Sequence, residues 1–221
     1  MITKENFAKI VDHSILKVDA NCGNIKNFCE ETIKYNFTSV AVFPYNIPLC
    51  AKLLKGTNKK IVATLAFPLG DLTPEMKAFA TKDAIAKGGD LEVEVDLVTN
   101  VQAIKSVKWE IIKKELEMFR KAAKGHVTKL ILENYFLTDE EKVKTCQLAV
   151  EAGLDFVSTS TGTLGGATLK DIILMKETVG EKIQIKASGR ISTAEQVKTL
   201  IEAGATRIGC SDDVYILENW S

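Results

Sequence analysis

The sequence lacks most of the features that mark metal, membrane and nucleic-acid proteins. It has two histidines, His13 and His126, far apart in the chain, so a histidine-based metal site is not expected. Its 29 basic and 29 acidic side chains cancel and it has no basic run, which argues against nucleic acid as a partner. No apolar run is long enough to span a membrane, and residues 1–6 show no signal-peptide pattern. We therefore expect a cytoplasmic protein that needs no metal.

Cysteine is also sparse and unpatterned. The five cysteines are scattered and none forms a Cys-x-x-Cys motif, so we expect reduced and mostly structural thiols. A length of 221 residues allows one large domain or two small ones. The 46% hydrophobic share is typical of a soluble globular protein.

Eight short, apolar, β-branched segments alternate with helical patterns along the chain. Three of the helices end on a glycine just before a strand, in residues 86–90, 151–155 and 202–206. No linker or change of composition divides the sequence. This pattern favours one α/β domain over residues 1–221, a (β/α)8 barrel with an N-terminal capping helix over residues 3–10, rather than a doubly wound sheet. The predicted strands are residues 11–16, 39–42, 61–66, 91–95, 129–133, 156–157, 183–187 and 207–210.

In a (β/α)8 barrel, chemistry takes place at the C-terminal ends of the strands. Two residues there are candidates for catalysis. Asp96, at the predicted end of strand four, could relay protons to a carbonyl substrate. Lys186, at the end of strand seven, is costly inside a barrel unless it is paired or functional, and a lowered pKa would leave a nucleophilic amine. Other polar or aromatic residues predicted at strand ends are Asp12, Phe43, Phe67, Glu133 and Ser158.

Each of these candidates also has a structural interpretation. Lys186 could pair with a glutamate of the barrel, but its position favours function. Glu92, Glu94 and Lys129 fit buried ion pairs better than catalysis. We expect His13 to be a packed histidine, and Phe43 and Phe67 to form pocket walls.

Three loops could bind an anion. The stretch 156–167 begins as a strand, breaks into Ser, Thr and Gly, and leads into a helix predicted to start at Thr168. Glycines let the backbone approach an anion, and the helix end supplies free N–H groups. Residues 188–189 and 209–211 form similar loops, and phosphate sites after the last strands are common in this fold.

Together these motifs resemble the deoxyribose-phosphate aldolase family. The similarity covers nearly the whole chain and includes the segments 12–17, 44–45, 67–70, 95–96, 129–133, 137–142, 159–162, 165–168, 186–189 and 202–209. It implies a (β/α)8 barrel and a class I aldolase that uses no metal or other cofactor. The implied reaction is reversible cleavage of 2-deoxyribose 5-phosphate, a small-molecule substrate, to acetaldehyde and glyceraldehyde 3-phosphate. Small barrels of this kind often form homodimers.

The resemblance also implies site residues. Asp96 matches the family's proton-relay aspartate, and Lys186 matches a second lysine that lowers the pKa of the imine-forming one. The imine lysine itself is replaced by Ser158, which has no amine. Loss of such a nucleophile commonly costs on the order of a millionfold in rate. The residues implied for substrate and phosphate binding are Gly162, Thr163, Gly189, Arg190, Gly209 and Ser211.

Further departures cluster near the implied phosphate pocket. Arg190 stands where the family usually has glycine, and Asp212 where it has a small or hydroxyl residue. The loop after Gly162 is one residue shorter, and Ala41 and Asn134 replace a cysteine and a threonine. Either Arg190 and Asp212 pair and fill the pocket, or Arg190 binds an anion while Asp212 points away.

These departures leave several functions open. The leading hypothesis is an aldolase-type lyase in which Lys186 replaces the missing amine and Asp96 is the acid and base. A second is a different enzyme on the same barrel that uses both residues for proton transfer without an imine. A third is a non-catalytic relative that binds a metabolite or a protein. A single introduced Ser158 in a working enzyme would have left the phosphate loops unchanged, so the clustered departures argue against that explanation.

Overall fold

The computed structural model of the chain describes residues 2–220, so the two ends of the expected domain, Met1 and Ser221, lie outside it. Eight parallel strands form a closed barrel in chain order, and the last strand pairs with the first. This confirms the (β/α)8 prediction. The strands are β1 Val11–Ile15, β2 Ser39–Val42, β3 Lys60–Leu65, β4 Val93–Val98, β5 Thr128–Ile131, β6 Phe156–Ser158, β7 Gln184–Ser188 and β8 Arg207–Cys210.

Helices follow the strands, and an N-terminal helix precedes β1. The Thr73 side chain accepts a hydrogen bond from Met76 N–H at the start of the helix opened by Pro74, and Thr138 forms a capping box with Glu141 at the start of a later helix. The helices are α1 Lys4–Ala8, α2 Cys22–Lys34, α3 Ile47–Leu53, α4 Pro74–Lys87, α5 Val101–Lys105, α6 Trp109–Ala122, α7 Asp139–Glu151, α8 Leu169–Val179, α9 Ala194–Glu202 and α10 Asp213–Glu218.

The side chains of β4 point alternately into the hydrophobic core and into the barrel interior, where the site lies. Val93, Val95 and Leu97 are fully buried in the apolar layer beneath the helices. Glu94 and Asp96 have the opposite parity and point into the barrel, as the alternation of side chains along a strand requires. Asp96 is in register with Thr64 of β3 on one side and Lys129 of β5 on the other. The barrel interior at this level is therefore polar.

Several strand boundaries differ from the prediction. β4 extends to Val98 and β7 to Ser188, so Asp96 and Lys186 lie two residues before the ends of their strands. β5 ends at Ile131, which leaves Glu133 outside the strand with a left-handed φ of 56°. Asp12 is the second residue of β1 and not its end. In β4 and β7 the apolar run of the sequence is interrupted at a charged residue that points into the barrel. The backbone pairing between strands continues beyond that residue.

Candidate functional site

A cluster of buried charges fills the centre of the barrel. It consists of three carboxylates, Asp12, Glu94 and Asp96, and three cations, Lys129, Lys186 and Arg207. The Nζ atom of Lys186 lies 2.6 Å from Oδ2 of Asp12 and 2.6 Å from Oδ2 of Asp96. The structure thus brings together the two predicted catalytic residues.

Lys129 and Arg207 hold the carboxylates in place. Lys129 Nζ lies 2.8 Å from both Asp96 Oδ1 and Glu94 Oε2, which confirms the structural role predicted for Lys129 and Glu94. Although burial acts against it, the nearby carboxylates raise the pKa of Lys129 above its usual value. Arg207 Nη1 lies 2.7 Å from Asp12 and 3.2 Å from Glu94. Glu92 is half-exposed and pairs with Lys60.

Three cations surround the Asp12 carboxylate and stabilise its charged form. Burial acts to raise its pKa, but Lys129, Lys186 and Arg207 outweigh burial and hold that pKa well below its usual range. Ser39 also donates a hydrogen bond to it, at 2.7 Å. Asp12 therefore stays ionised at neutral pH, so Lys186 Nζ has a charged carboxylate beside it.

A cavity of about 300 Å³ opens above this cluster. Asp96 and Lys186 line it from the barrel, and Phe67 forms part of its wall. Phe43 lines a neighbouring pocket and touches Phe67 edge-on, with ring centroids 5.8 Å apart. All the residues predicted to bind substrate or phosphate line the same cavity: Gly162, Thr163, Gly189, Arg190, Gly209 and Ser211.

Ser158 lies beside this cavity, in register with Lys186 across β6 and β7. It is fully buried and does not line the cavity. Its Oγ lies 2.8 Å from Oγ of Ser188, which donates a 2.8 Å hydrogen bond to the carbonyl of Ser160. The hydroxyl thus belongs to a short internal chain of hydrogen bonds.

Of the two arrangements considered for Arg190 and Asp212, the paired one does not form. Within residues 2–220, Arg190 forms no ion pair; its Nε and Nη2 donate to the carbonyls of Gly162 and Thr163, each at 3.2 Å. Arg190 has a left-handed φ of 55°, which directs its side chain across the β6–α8 loop. Arg190 and Asp212 both line the cavity, which remains open.

His13 is a packed residue, as predicted. Its ring is 1% exposed, stacks on Phe28 with 4.3 Å between centroids, and has Nδ1 2.8 Å from Asp213 and Nε2 3.0 Å from Glu31.

Sequence reasoning did not anticipate the roles of Asp12, Arg207 and Glu133. Glu133 is buried, accepts a hydrogen bond from Thr161 N–H at 3.1 Å, and has its pKa raised by burial. Its other oxygen, Oε1, has no hydrogen-bond partner within residues 2–220. Arg207 could have been found from its place in the alternation of β8, which predicts a side chain that points into the barrel. Asp12 and Glu133 appeared only as residues near predicted strand ends.

Residues 2–220 lack two features. They contain no group of three or more His, Cys, Asp or Glu side chains placed to hold a metal ion. No helix in this range is long and apolar enough to cross a membrane.

Fold and site together define a closed (β/α)8 barrel with a lysine–aspartate pair beneath glycine-rich loops. A sequence model described as "DeoC/LacD family aldolase" matches residues 7–211, and the chain belongs to that family. It is 49% identical over 217 residues to a deoxyribose-phosphate aldolase of Clostridium perfringens, covering 97% of this chain and 96% of that protein. A deoxyribose-phosphate aldolase of Thermoanaerobacter pseudethanolicus is 48% identical over 220 residues, covering 98% and 97%.

Solved structures agree with these sequence matches. The tetrameric deoxyribose phosphate aldolase of Aeropyrum pernix superimposes with a TM-score of 0.90 at 26% identity, covering 99% of this chain and 92% of that one. A protein described as "QR15, an Aldolase" gives a TM-score of 0.90 at 32% identity, covering 97% and 95%.

Proposed function

We propose that this protein is an aldolase-type lyase acting on 2-deoxyribose 5-phosphate or a related small aldol compound, with Lys186 as its reactive amine. One observation carries the proposal: Lys186 Nζ and the Asp96 carboxylate are 2.6 Å apart and line the same cavity as the glycine-rich loops. Family membership and the named relatives support the reaction class. Ser158 cannot supply the amine.

Proton transfer within the pair starts the proposed reaction. Asp96 takes one proton from the Lys186 ammonium, and the neutral amine adds to the substrate aldehyde and expels water to give an imine. A base then removes the proton of the substrate's C3 hydroxyl, and the C2–C3 bond breaks toward the imine. Glyceraldehyde 3-phosphate leaves, the enamine is protonated at C2, and water releases acetaldehyde and restores Lys186.

The same geometry limits the rate. Lys186 Nζ lies 2.6 Å from each of two carboxylates, and these two contacts must loosen before the amine can reach an aldehyde. A lysine in place of Ser158 would add a second cation beside Lys186 and favour loss of a proton from one of the two amines. Ser158 adds no charge. We therefore expect slow aldol cleavage by the native chain.

The doubly paired Lys186 also favours a second candidate, a relative that binds a small phosphorylated compound without cleaving it. A retro-aldol assay on 2-deoxyribose 5-phosphate, with Lys186→Arg as the matched variant, separates the two. Slow release of acetaldehyde that disappears in Lys186→Arg supports the lyase. Binding of the compound without any release of acetaldehyde supports the second candidate.

Three further expectations belong to this proposal. We propose that residues 1–221 form one domain, that the protein works in the cytoplasm, and that it assembles as a homodimer. Light scattering coupled to size-exclusion chromatography tests the last of these, because the Aeropyrum pernix relative is described as a tetramer.

A further inference from the structure

Thr64 lines the central cavity from β3 and carries a hydroxyl that the fold does not use. The residue is 2% exposed, and its Oγ1 atom has no hydrogen-bond partner within residues 2–220. Two other buried side-chain atoms in this range lack a partner, Oε1 of Glu133 and Oδ1 of Asn134, but neither residue lines the cavity. Burying an unpaired hydroxyl costs free energy, and a ligand that supplies the missing partner would offset that cost.

The cavity wall around Thr64 offers a ligand few other hydrogen bonds. β2 contributes Ala41 to this wall, and Phe67 follows just after the end of β3. Ser14, on β1, already donates its hydroxyl to the Asp12 carbonyl at 2.8 Å. Among the described residues that line the cavity between β1 and β4, Thr64 therefore carries the one hydroxyl without a partner.

Thr64 stands next to the Asp96 carboxylate. The two residues are in register on β3 and β4, and both line the cavity. Neighbouring strands lie about 4.8 Å apart, so one ligand oxygen can contact both side chains. Rotation about χ1 exchanges the positions of the Thr64 methyl group and hydroxyl, which lets the oxygen turn toward such a ligand. Lys129 and Lys186 already hold Asp96 at 2.8 and 2.6 Å, so the carboxylate does not need Thr64 to stay in place.

From these observations we infer that Thr64 is a specificity-determining residue whose hydroxyl donates a hydrogen bond to the substrate's C3 oxygen beside Asp96. The inference rests on the proposed function and deepens it, because that oxygen becomes the aldehyde oxygen of glyceraldehyde 3-phosphate when the C2–C3 bond breaks. A donor at this point stabilises the negative charge that develops on the oxygen as its proton leaves. A compound with no oxygen at C3 leaves the buried hydroxyl unpaired and binds more weakly.

Two compounds that cannot be cleaved test the contact in the absence of chemistry. They are the reduced substrate, 2-deoxyribitol 5-phosphate, and the same phosphate ester without its C3 hydroxyl. Both carry the same phosphate and no aldehyde, so the ratio of their dissociation constants, measured by calorimetry on the full chain, isolates the C3 hydroxyl. We expect the native protein to bind the hydroxylated compound at least about tenfold more tightly. Equal affinities, or no binding of the hydroxylated compound, would overturn the inference.

Two substitutions at Thr64 separate its hydroxyl from its shape. Thr64→Val keeps the branched shape without the hydroxyl, so the affinity ratio should fall at least about fivefold, whereas Thr64→Ser keeps the hydroxyl and should retain the ratio. Thr145→Val is the matched control, since Thr145 is buried on α7 away from the cavity and donates to the Glu141 carbonyl at 2.8 Å. The control should leave the ratio unchanged. An unchanged ratio in Thr64→Val would contradict the inference.

Urea unfolding distinguishes this role from a structural one. Because Thr64 Oγ1 bonds no other group of the described chain, Thr64→Val should unfold at a urea midpoint no lower than that of the native protein. Thr145→Val removes a bonded hydroxyl and should lower the midpoint. A loss in Thr64→Val as large as that in Thr145→Val would show that the Thr64 hydroxyl serves the fold, which the inference excludes.

The proposed function fails by a different measurement. Acetaldehyde release by the native chain tests the lyase, whereas the affinity ratio tests Thr64 even when no acetaldehyde appears. With a cleaving native chain, Thr64→Val should lower kcat for 2-deoxyribose 5-phosphate at least about tenfold, and Thr64→Ser by less than about threefold. Equal kcat values for the native protein and Thr64→Val would count against the contact.

Discussion

The Nζ atom of Lys186 lies 2.6 Å from Oδ2 of Asp96, although the two residues are 90 positions apart in the chain. Barrel closure produces this contact, because β4 and β7 face each other across the interior. The pair joins an amine and a carboxylate at the base of the cavity, and the first prediction concerns its amine.

Lys186→Arg should separate the charge of Lys186 from its nucleophilicity. Arginine keeps a cation between Asp12 and Asp96 but cannot form an imine under these conditions. We expect loss of acetaldehyde release by at least about 100-fold with little change in urea unfolding. Lys186→Met should lose both activity and stability, since it leaves two buried carboxylates with one cation fewer. Retained activity in Lys186→Arg would exclude the amine mechanism.

Ser158→Lys should raise aldol cleavage. The new ammonium would lie on the strand next to Lys186, and two neighbouring cations lower each other's pKa, which frees an amine at neutral pH. We expect acetaldehyde release to increase by at least about 100-fold over the native chain. Ser158→Met has a side chain of similar length without an amine and is the matched control. Equal rates for the two variants would show that the cavity does not support imine chemistry at this position.

The loss of folding stability at acid pH should depend on Asp12. Because its pKa is held below the usual value in the folded state, its contribution is present above about pH 4 and is lost as the pH falls further. Asp12→Asn should therefore cost on the order of 3–5 kcal/mol at pH 7 and less at pH 3, measured by urea unfolding. Asp19→Asn, at an exposed site, should change little at either pH. An equal loss at both pH values would contradict this prediction.

A second buried pair should be essential for stability without taking part in chemistry. Lys77 and Glu115 are fully buried, 2.7 Å apart, and Lys77 Nζ also donates to the Val98 carbonyl at 2.8 Å. Burial lowers the pKa of Lys77 and raises that of Glu115, so each needs its partner in order to remain charged.

Lys77→Met should destabilise the protein by about 3–5 kcal/mol in urea unfolding, because it strands the Glu115 carboxylate. The control joins the same two helices: Lys114 and Glu75 form an exposed pair, so Lys114→Met should cost less than about 1 kcal/mol. Similar losses in the two variants would refute the role assigned to the buried pair.

The barrel and its strand order could be predicted from the sequence because they rest on local signals. Apolar β-branched runs, helix caps such as Thr138, and glycines that end helices are all readable within a few residues. The five-residue helix α5 was missed, since a segment of that length shows no helical periodicity. The end of β4 was misplaced because Asp96, which points into the barrel, interrupts its apolar run.

The composition of the site was only partly readable. Lys186 and Asp96 were identified from their positions on predicted strands, but the partnership of Asp12 with Lys186 spans 174 positions and requires the closed barrel. Of the two arrangements considered for Arg190 and Asp212, the paired one is absent for a backbone reason. The left-handed conformation at Arg190 directs the guanidinium to loop carbonyls, and a residue pattern alone does not reveal that conformation.

The most direct test of Lys186 as the reactive amine is borohydride reduction of the native protein with acetaldehyde, followed by peptide mass mapping. Reduction fixes an imine as a stable two-carbon adduct on the lysine that formed it. We predict an adduct on the peptide that contains Lys186, and its absence from that peptide in Lys186→Arg. An adduct confined to exposed lysines outside the cavity, such as Lys114, or no adduct after prolonged reaction, would contradict the assignment.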